Sequence, residues 1–427
     1  MSPQTPAPQT PAPQTDPPRW AGAFADRTRR MVPSETRALF SMASRPDVVS
    51  LAGGMPSPEA LPVKAMGTVL GEVLERYGAD ALQYGSAQGE AGLRERICQV
   101  MAAEGIAATP DEVMVTVGSQ QALDLVTRIF VDPGDTVVAE APTYVTALST
   151  FAAHQARVVQ VPVDHDGVVP QALEETFALL AAEGRPAKFF YTVPTFHNPT
   201  GVVLSAARRP EVLEICRRAG VLVLEDNPYG LLHFGDRPER ALRADDPDGV
   251  VYLGSFSKTL APGLRVGWVL APRGIMDKLV LAAESAMLSH SLLAQRAVDH
   301  YLSTQSWQSH LTAARDTYRE RRDAMLHELT ALMPHGVHWT VPQGGFFVWM
   351  TLPSGMDSKA LLPHAVAGGV AYVPGTGFST AGGERHLRLS FSHPTPRRIR
   401  EGVRNLAALL HAETEQVPLG ARQLTPC

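Results

Sequence analysis

From residue 112 onward, short apolar runs rich in β-branched residues alternate with stretches of helical periodicity. Residues 112–117 read as a strand, 120–130 as a helix and 136–140 as a second strand. Five further strands are predicted over 157–162, 188–193, 221–225, 250–254 and 265–270, with helices over 171–183 and 211–219 among them. These runs are nearly continuously apolar rather than strictly alternating, which suits strands buried on both faces beneath covering helices. The pattern predicts an α/β fold with a large domain over 56–286. Residues 279–333 contain neither glycine nor proline and predict one or two long helices, a spine between domains over 287–333. Strand-like stretches at 339–352, 370–373 and 387–391 and a last helix over 396–412 predict a smaller α+β domain over 334–415.

The two ends read differently. Residues 1–18 repeat Pro-Gln-Thr-Pro-Ala units and bury too little to offset the entropy of ordering, so a disordered tail is expected. Residues 19–55 are expected to join the small domain or cross the cleft, and 416–427 to be flexible. Over all 427 residues, 44% are hydrophobic and 19% charged, a globular composition. The net charge of -5 offers no bulk positive field for a nucleic-acid backbone. No window supplies the roughly 18 apolar residues of a membrane helix. Cys98, Cys216 and Cys427 are far apart and form no Cys-x-x-Cys pair, which argues against a disulfide framework or a cysteine metal site and for the cytoplasm. His335 and His338 show no zinc-like spacing with carboxylates, and Gly375-Thr376-Gly377 lacks the strand-to-helix setting of a dinucleotide loop.

Candidate chemistry concentrates at the ends of the predicted strands. In Gly254-Ser255-Phe256-Ser257-Lys258 a lone lysine follows a strand, with Arg265 a short distance on. A lysine reacts with an aldehyde only when it can lose its proton, which a cleft near other cations promotes. The hydroxyls and the arginine can hold a phosphate close by. Asp226 ends the apolar strand in Glu225-Asp226-Asn227-Pro228-Tyr229, and a charge there needs a partner such as a ring N–H. Asn198 lies in His197-Asn198-Pro199-Thr200-Gly201, a proline-stiffened turn whose amide can both donate and accept. Ser119 and Gln120 open a helix whose N-terminus can attract an anion, although Ser119 also reads as an N-cap. Taken singly, each has a plain reading as loop lysine, acidic turn, Asn-Pro turn or cap.

Together, and in this order, the motifs resemble those of fold-type-I pyridoxal-phosphate enzymes of the class I/II aminotransferase family. They are most similar to its 2-aminoadipate and kynurenine aminotransferase branch, over about residues 27–410. The resemblance implies a large cofactor-binding domain with a mostly parallel, seven-stranded-type sheet, and pyridoxal 5'-phosphate as cofactor. Lys258 would then form the internal aldimine and shuttle the proton between substrate Cα and cofactor C4′. Asp226 would hold the pyridinium, and Tyr229 and Asn198 the phenolic oxygen. Tyr144 would stack on the ring, while Ser119, Gln120, Ser255, Ser257 and Arg265 would take the phosphate. Tyr84 would reach the phosphate of a neighbouring subunit, implying a homodimer with shared sites. Arg388, in Leu387-Arg388-Leu389, would clamp the substrate α-carboxylate, with Asn198 and the Gly53-Gly54 loop beside it. Arg37 falls where such relatives place a helix over the substrate side chain and would pair with a second carboxylate.

The expected reaction moves an amino group from an L-amino acid to a 2-oxo acid such as 2-oxoglutarate by ping-pong kinetics. The donor is 2-aminoadipate or an aromatic or branched-chain amino acid. A lyase or decarboxylase on the same anchoring residues is the enzymatic alternative. A ligand-sensing regulator is the other class, disfavoured because only about 25 residues precede the match.

Overall fold

The computed structural model describes residues 20–30 and 47–416. After β1 (Val49–Ser50) come helices α1 (Val63–Tyr77) and α2 (Ala91–Met101). The chain then alternates through β2 (Val113–Val117), α3 (Gly118–Phe130), β3 (Thr136–Ala141), α4 (Val145–Ala153), β4 (Arg157–Asp164) and β5 (Gly167–Val168). It continues through α5 (Pro170–Ala182), β6 (Ala187–Thr192), α6 (Arg208–Ala219), β7 (Leu222–Asp226), β8 (Val250–Ser255) and β9 (Val266–Leu270). These strands form one sheet in the order β2-β9-β8-β7-β6-β3-β4-β5. Pairing is parallel from β8 through β4, while β9 is antiparallel to both neighbours and β5 is a two-residue arm antiparallel to β4. That arm is the eighth strand beside the seven expected.

The apolar runs of the central strands are buried on both faces, as their composition requires, whereas in β4 only Val161 is buried. One core packs Tyr191, Leu224, Val251 and Leu253 against α3 and α4. The other packs Phe190, Val223 and Val250 against α5 and α6. Side chains alternate faces along each strand, so a single residue decides which core a group joins. In the register Tyr191 pairs with Leu224, Glu225 with Tyr252 and Asp226 with Leu253. Asp226 therefore shares a face with Tyr191, and Glu225 shares the opposite face with Tyr252.

The glycine-free stretch departs from the expected one or two helices. It forms three, α7 (Arg273–Met287), α8 (Leu292–Thr304) and α9 (Trp307–Leu332). At the first break Leu288 adopts φ 64°, and the Ser291 hydroxyl accepts from Ala294 N at 3.3 Å to start α8. A serine cap restarts a helix without any glycine or proline. Arg265, expected to open a strand, precedes β9 with φ 53°.

Beyond α9 lie β10 (His338–Trp339), β11 (Phe347–Thr351), α10 (Ser358–Ala367), β12 (Val370–Ala371), β13 (Val373–Pro374), β14 (His386–Ser390) and α11 (Pro396–Gln416). An antiparallel sheet in the order β10-β11-β14-β13 packs against these helices, and β1 pairs in parallel with β12. The cavity described next lies where the ends of β7 and β8 and the start of α3 face β14.

Candidate active site

A cavity of about 500 Å³ is lined by Gly54, Ser119, Gln120, Tyr144, Asn198, Asp226, Tyr229, Ser255, Ser257, Lys258, Arg265 and Arg388. Residues spread over more than 330 positions of chain thus converge on one space. Strand ends beside a helix start are where open α/β sheets present their ligand sites.

Lys258 follows β8, and its Nζ donates to the Gly54 carbonyl at 2.9 Å. Burial, then the Arg388 and Arg265 charges, pulls its ammonium down to about 8, with Asp226 opposing. Desolvation and like charge both disfavour the protonated amine. Asp226, at the end of β7, accepts from the Tyr191 hydroxyl at 2.8 Å through Oδ2. Its Oδ1 is buried without a hydrogen-bond partner. Burial raises this carboxyl to about 6, while the Tyr191 bond and Lys258 pull it back.

At another side of the cavity Ser257 N donates to Ser255 Oγ at 3.0 Å, and the two hydroxyls lie 2.9 Å apart. Beside them α3 begins without a side-chain cap; its N-cap position is Val117, which places Ser119 inside the first turn. Ser119 is therefore not the cap. Arg265 reaches this helix start, donating to Val117 O at 3.0 Å. The approach is close enough that a Cβ on Gly118, itself at φ 71°, would lie 2.6 Å from Arg265 Nη2. Two hydroxyls, a guanidinium and open helical N–H groups make a phosphate-sized anion cradle.

Across the cavity Arg388 is 4% exposed. Its Nη1 donates to Asn198 Oδ1 at 2.7 Å and its Nη2 to Ala52 O at 2.8 Å, while Nε is buried without a partner. The guanidinium stacks 4.2 Å from the Phe347 ring centroid and 5.0 Å from that of Phe378. Burial lowers it to about 10, a value at which it stays charged near neutral pH. Phe347 in turn crowds the Gly54 loop, where a Cβ would stand 2.7 Å from the ring tip. Tyr229 packs edge-on against Phe346 and Phe347, and burial raises its hydroxyl and that of Tyr144 above the usual phenol range.

One predicted residue lies elsewhere. Tyr84 is 76% exposed and does not line the cavity of its own chain. Arg37 lies outside the described residues. Sequence reasoning missed Tyr191, Phe347 and Phe378, because an aromatic residue in an apolar strand or turn reads as ordinary core. Among the described residues no three His, Cys, Asp or Glu side chains gather as a metal site, and no helix is long and apolar enough to cross a membrane.

The residues fit pyridoxal 5'-phosphate. The orphaned Asp226 Oδ1 needs an N–H donor, which a protonated pyridine nitrogen supplies. The cradle suits the phosphate, and the Lys258 amine lies in the same cavity.

Known proteins share this fold and much of this sequence. The family described as aminotransferase class I and II matches residues 51–406. An aromatic-amino-acid aminotransferase of Thermococcus litoralis is 42% identical, over 92% of this chain and 95% of its own. A 2-aminoadipate transaminase of Thermus thermophilus is 40% identical, over 92% and 98%. The crystal structure of Pyrococcus horikoshii kynurenine aminotransferase, in complex with PMP, superposes with a TM-score of 0.88 at 39% identity, covering 93% and 98%. That of an α-aminoadipate aminotransferase from Thermus thermophilus, complexed with N-(5'-phosphopyridoxyl)-L-leucine, gives 0.86 at 37%, covering 93% and 100%.

Proposed function

Because the chain belongs to the class I and II aminotransferase family and is a pyridoxal-phosphate-dependent aminotransferase, we propose the following residue roles and substrates for it. When bound, pyridoxal 5'-phosphate supplies an aldehyde carbon open to amines and an electron-accepting ring. Asp226 Oδ1 accepts from the ring nitrogen and keeps it protonated, with Tyr191 fixing the other carboxylate oxygen. Ser119, Gln120, Ser255, Ser257 and Arg265 hold the phosphate, Tyr144 covers the ring, and Tyr229 and Asn198 meet its phenolic oxygen. Arg388 binds the substrate α-carboxylate, held flat by Phe347 and Phe378. Lys258 Nζ, with its proton affinity lowered toward neutrality, carries the covalent link to the cofactor. Once the amine of the donor has displaced it from that link, the freed Lys258 Nζ would take the proton from substrate Cα and deliver it to the former aldehyde carbon, C4′. The burial of Asn198, Asp226, Tyr229 and Arg388 keeps water from that side of the exchange.

We infer that the donors are L-amino acids with aromatic or aliphatic side chains, 2-aminoadipate included, and that a 2-oxo acid such as 2-oxoglutarate accepts the amino group in a second half-reaction. Met55, Val145 and Phe347 line the cavity beyond the polar groups, and the relatives named above act on or bind such molecules. Acidic donors would draw on Arg37. We also infer a homodimer, supported by the exposed Leu82, Tyr84 and Leu288. A reducing cytoplasm is consistent with the unpaired Cys98 and Cys216.

The observation that carries this reading is a depressed lysine and a half-satisfied buried carboxylate in one cavity, beside an anion cradle. Borohydride reduction of the holoenzyme followed by peptide mapping tests it. The phosphopyridoxyl tag is expected on Lys258; a tag on another residue, or none, overturns the assignment.

A further inference from the structure

A second buried acid, Glu104, lies behind the turn that leaves β7 and takes no part in the chemistry proposed above. It ends a short helical turn, Ala102–Glu104, after α2 and is 3% exposed. Its Oε1 accepts from Asn227 Nδ2 at 2.7 Å, and its Oε2 accepts from the Tyr252 hydroxyl at 2.8 Å. Asn227 is the residue between Asp226 and Pro228-Tyr229. Its Oδ1 accepts from Gly230 N at 3.0 Å, and its own N–H donates to Leu253 O at 2.9 Å. The amide thus closes the 227–230 turn from within, while Glu104 grips that amide from a segment 123 positions away. The fit leaves no slack, because a Cβ on Gly230 would collide with Glu104 Oε1 and with the Asn227 amide.

Both Glu104 oxygens, both polar atoms of the Asn227 amide and the Tyr252 hydroxyl have partners. Burial, with Glu225 adding to it, raises the Glu104 carboxyl to about 7, while Tyr252, Asn227 and Arg209 pull it down. Such a group carries a desolvation cost that an apolar side chain would not, and what it supplies in return is direction. One carboxylate oxygen holds the Asn227 amide while the other, on the Tyr252 hydroxyl, fixes the carboxylate itself, so Asn227 is oriented, and through it the residues on either side.

We propose that Glu104 is a positioning residue for the cofactor turn. Through Asn227 it aims Asp226 Oδ1 and the Tyr229 hydroxyl at the pyridine ring, a role that rests on the assignment of those two residues above. Equilibrium dialysis of the holoenzyme reads the dissociation constant of pyridoxal 5'-phosphate, and circular-dichroism melting of the same samples reads the fold. Glu104→Ala strands two buried donors and is expected to weaken cofactor binding about tenfold. Glu104→Gln keeps an acceptor for Asn227 and lets the Tyr252 hydroxyl turn to accept, so a loss within about threefold is expected. Asn227→Asp sets a second carboxyl against Glu104 and is expected to cost about tenfold, with Glu104→Gln in the same chain restoring most of it.

This rescue keeps the test open if Glu104→Ala does not fold. Affinity within about twofold of wild type in both Glu104→Ala and Asn227→Asp overturns the proposal. So does a double variant no better than Asn227→Asp, or a lower melting temperature with unchanged affinity. Asp226→Asn is the control. If it binds the cofactor as wild type does, the site assignment itself fails; if it weakens binding while the Glu104 variants do not, only the positioning role fails.

Discussion

Glu225 and Asp226 are neighbours on β7, both buried, and they end on opposite faces of the sheet with opposite fates. On the rear face Glu225 accepts from Leu242 N at 3.0 Å and Arg243 N at 2.9 Å, one to each oxygen. On the front face Asp226 has Tyr191 on one oxygen and nothing on the other. Burial raises both carboxyls. A shifted proton affinity therefore does not separate a structural acid from a functional one. The unused acceptor does, since a buried oxygen left without a donor is destabilising unless something else binds there.

The largest expected effect breaks or sharpens this contrast directly. Asp226→Asn is expected to lower kcat for amino transfer by at least about a hundredfold while the protein stays folded. Glu225→Gln is expected to lower unfolding free energy by about 1–3 kcal/mol with kcat nearly unchanged. Steady-state kinetics and denaturant melts on the two variants decide it, and a reversed pattern would end the distinction. Next comes Tyr191→Phe, which removes one hydrogen bond to the same carboxylate. A kcat loss of about tenfold, with KM for the amino donor little changed, is expected. A pure KM effect would move Tyr191 to the substrate side.

The last expectation concerns pH. Burial lifts Asp226 from its ordinary 3.8 to about 6, so the folded apoprotein holds this proton more tightly than the unfolded chain. Its contribution to stability is then fully present below about pH 4 and is lost as pH rises through about 6. The difference in unfolding free energy between wild type and Asp226→Asn should decline across that window, and a flat difference would contradict the shift.

Much of the architecture was legible from local pattern. The alternation from β2 to β9 follows from apolar runs bounded by turn residues, while Lys258, Asp226 and Asn198, at or after strand ends, and Arg388, inside β14, were singled out by the resemblance of their ordered motifs. The break at Leu288 was not legible, because no glycine or proline marks it and Ser289-His290-Ser291 is compatible with a helix until the caps form. Tyr191, Phe347 and Glu104 were not legible either, since their value lies in what they touch. Tyr191 meets a residue 35 positions later, and Glu104 meets partners 123 and 148 positions away.

The amino-acid sequence by itself determined the period of each strand, and with it that Glu225 and Asp226 must point to opposite faces, because side chains alternate along extended backbone. Only the tertiary structure decided which face was filled with donors and which was left open. Hydrogen-bond satisfaction is a property of what packs opposite a group, and the loop carrying Leu242 and Arg243 and the side chain of Tyr191 reach β7 only once the chain has folded.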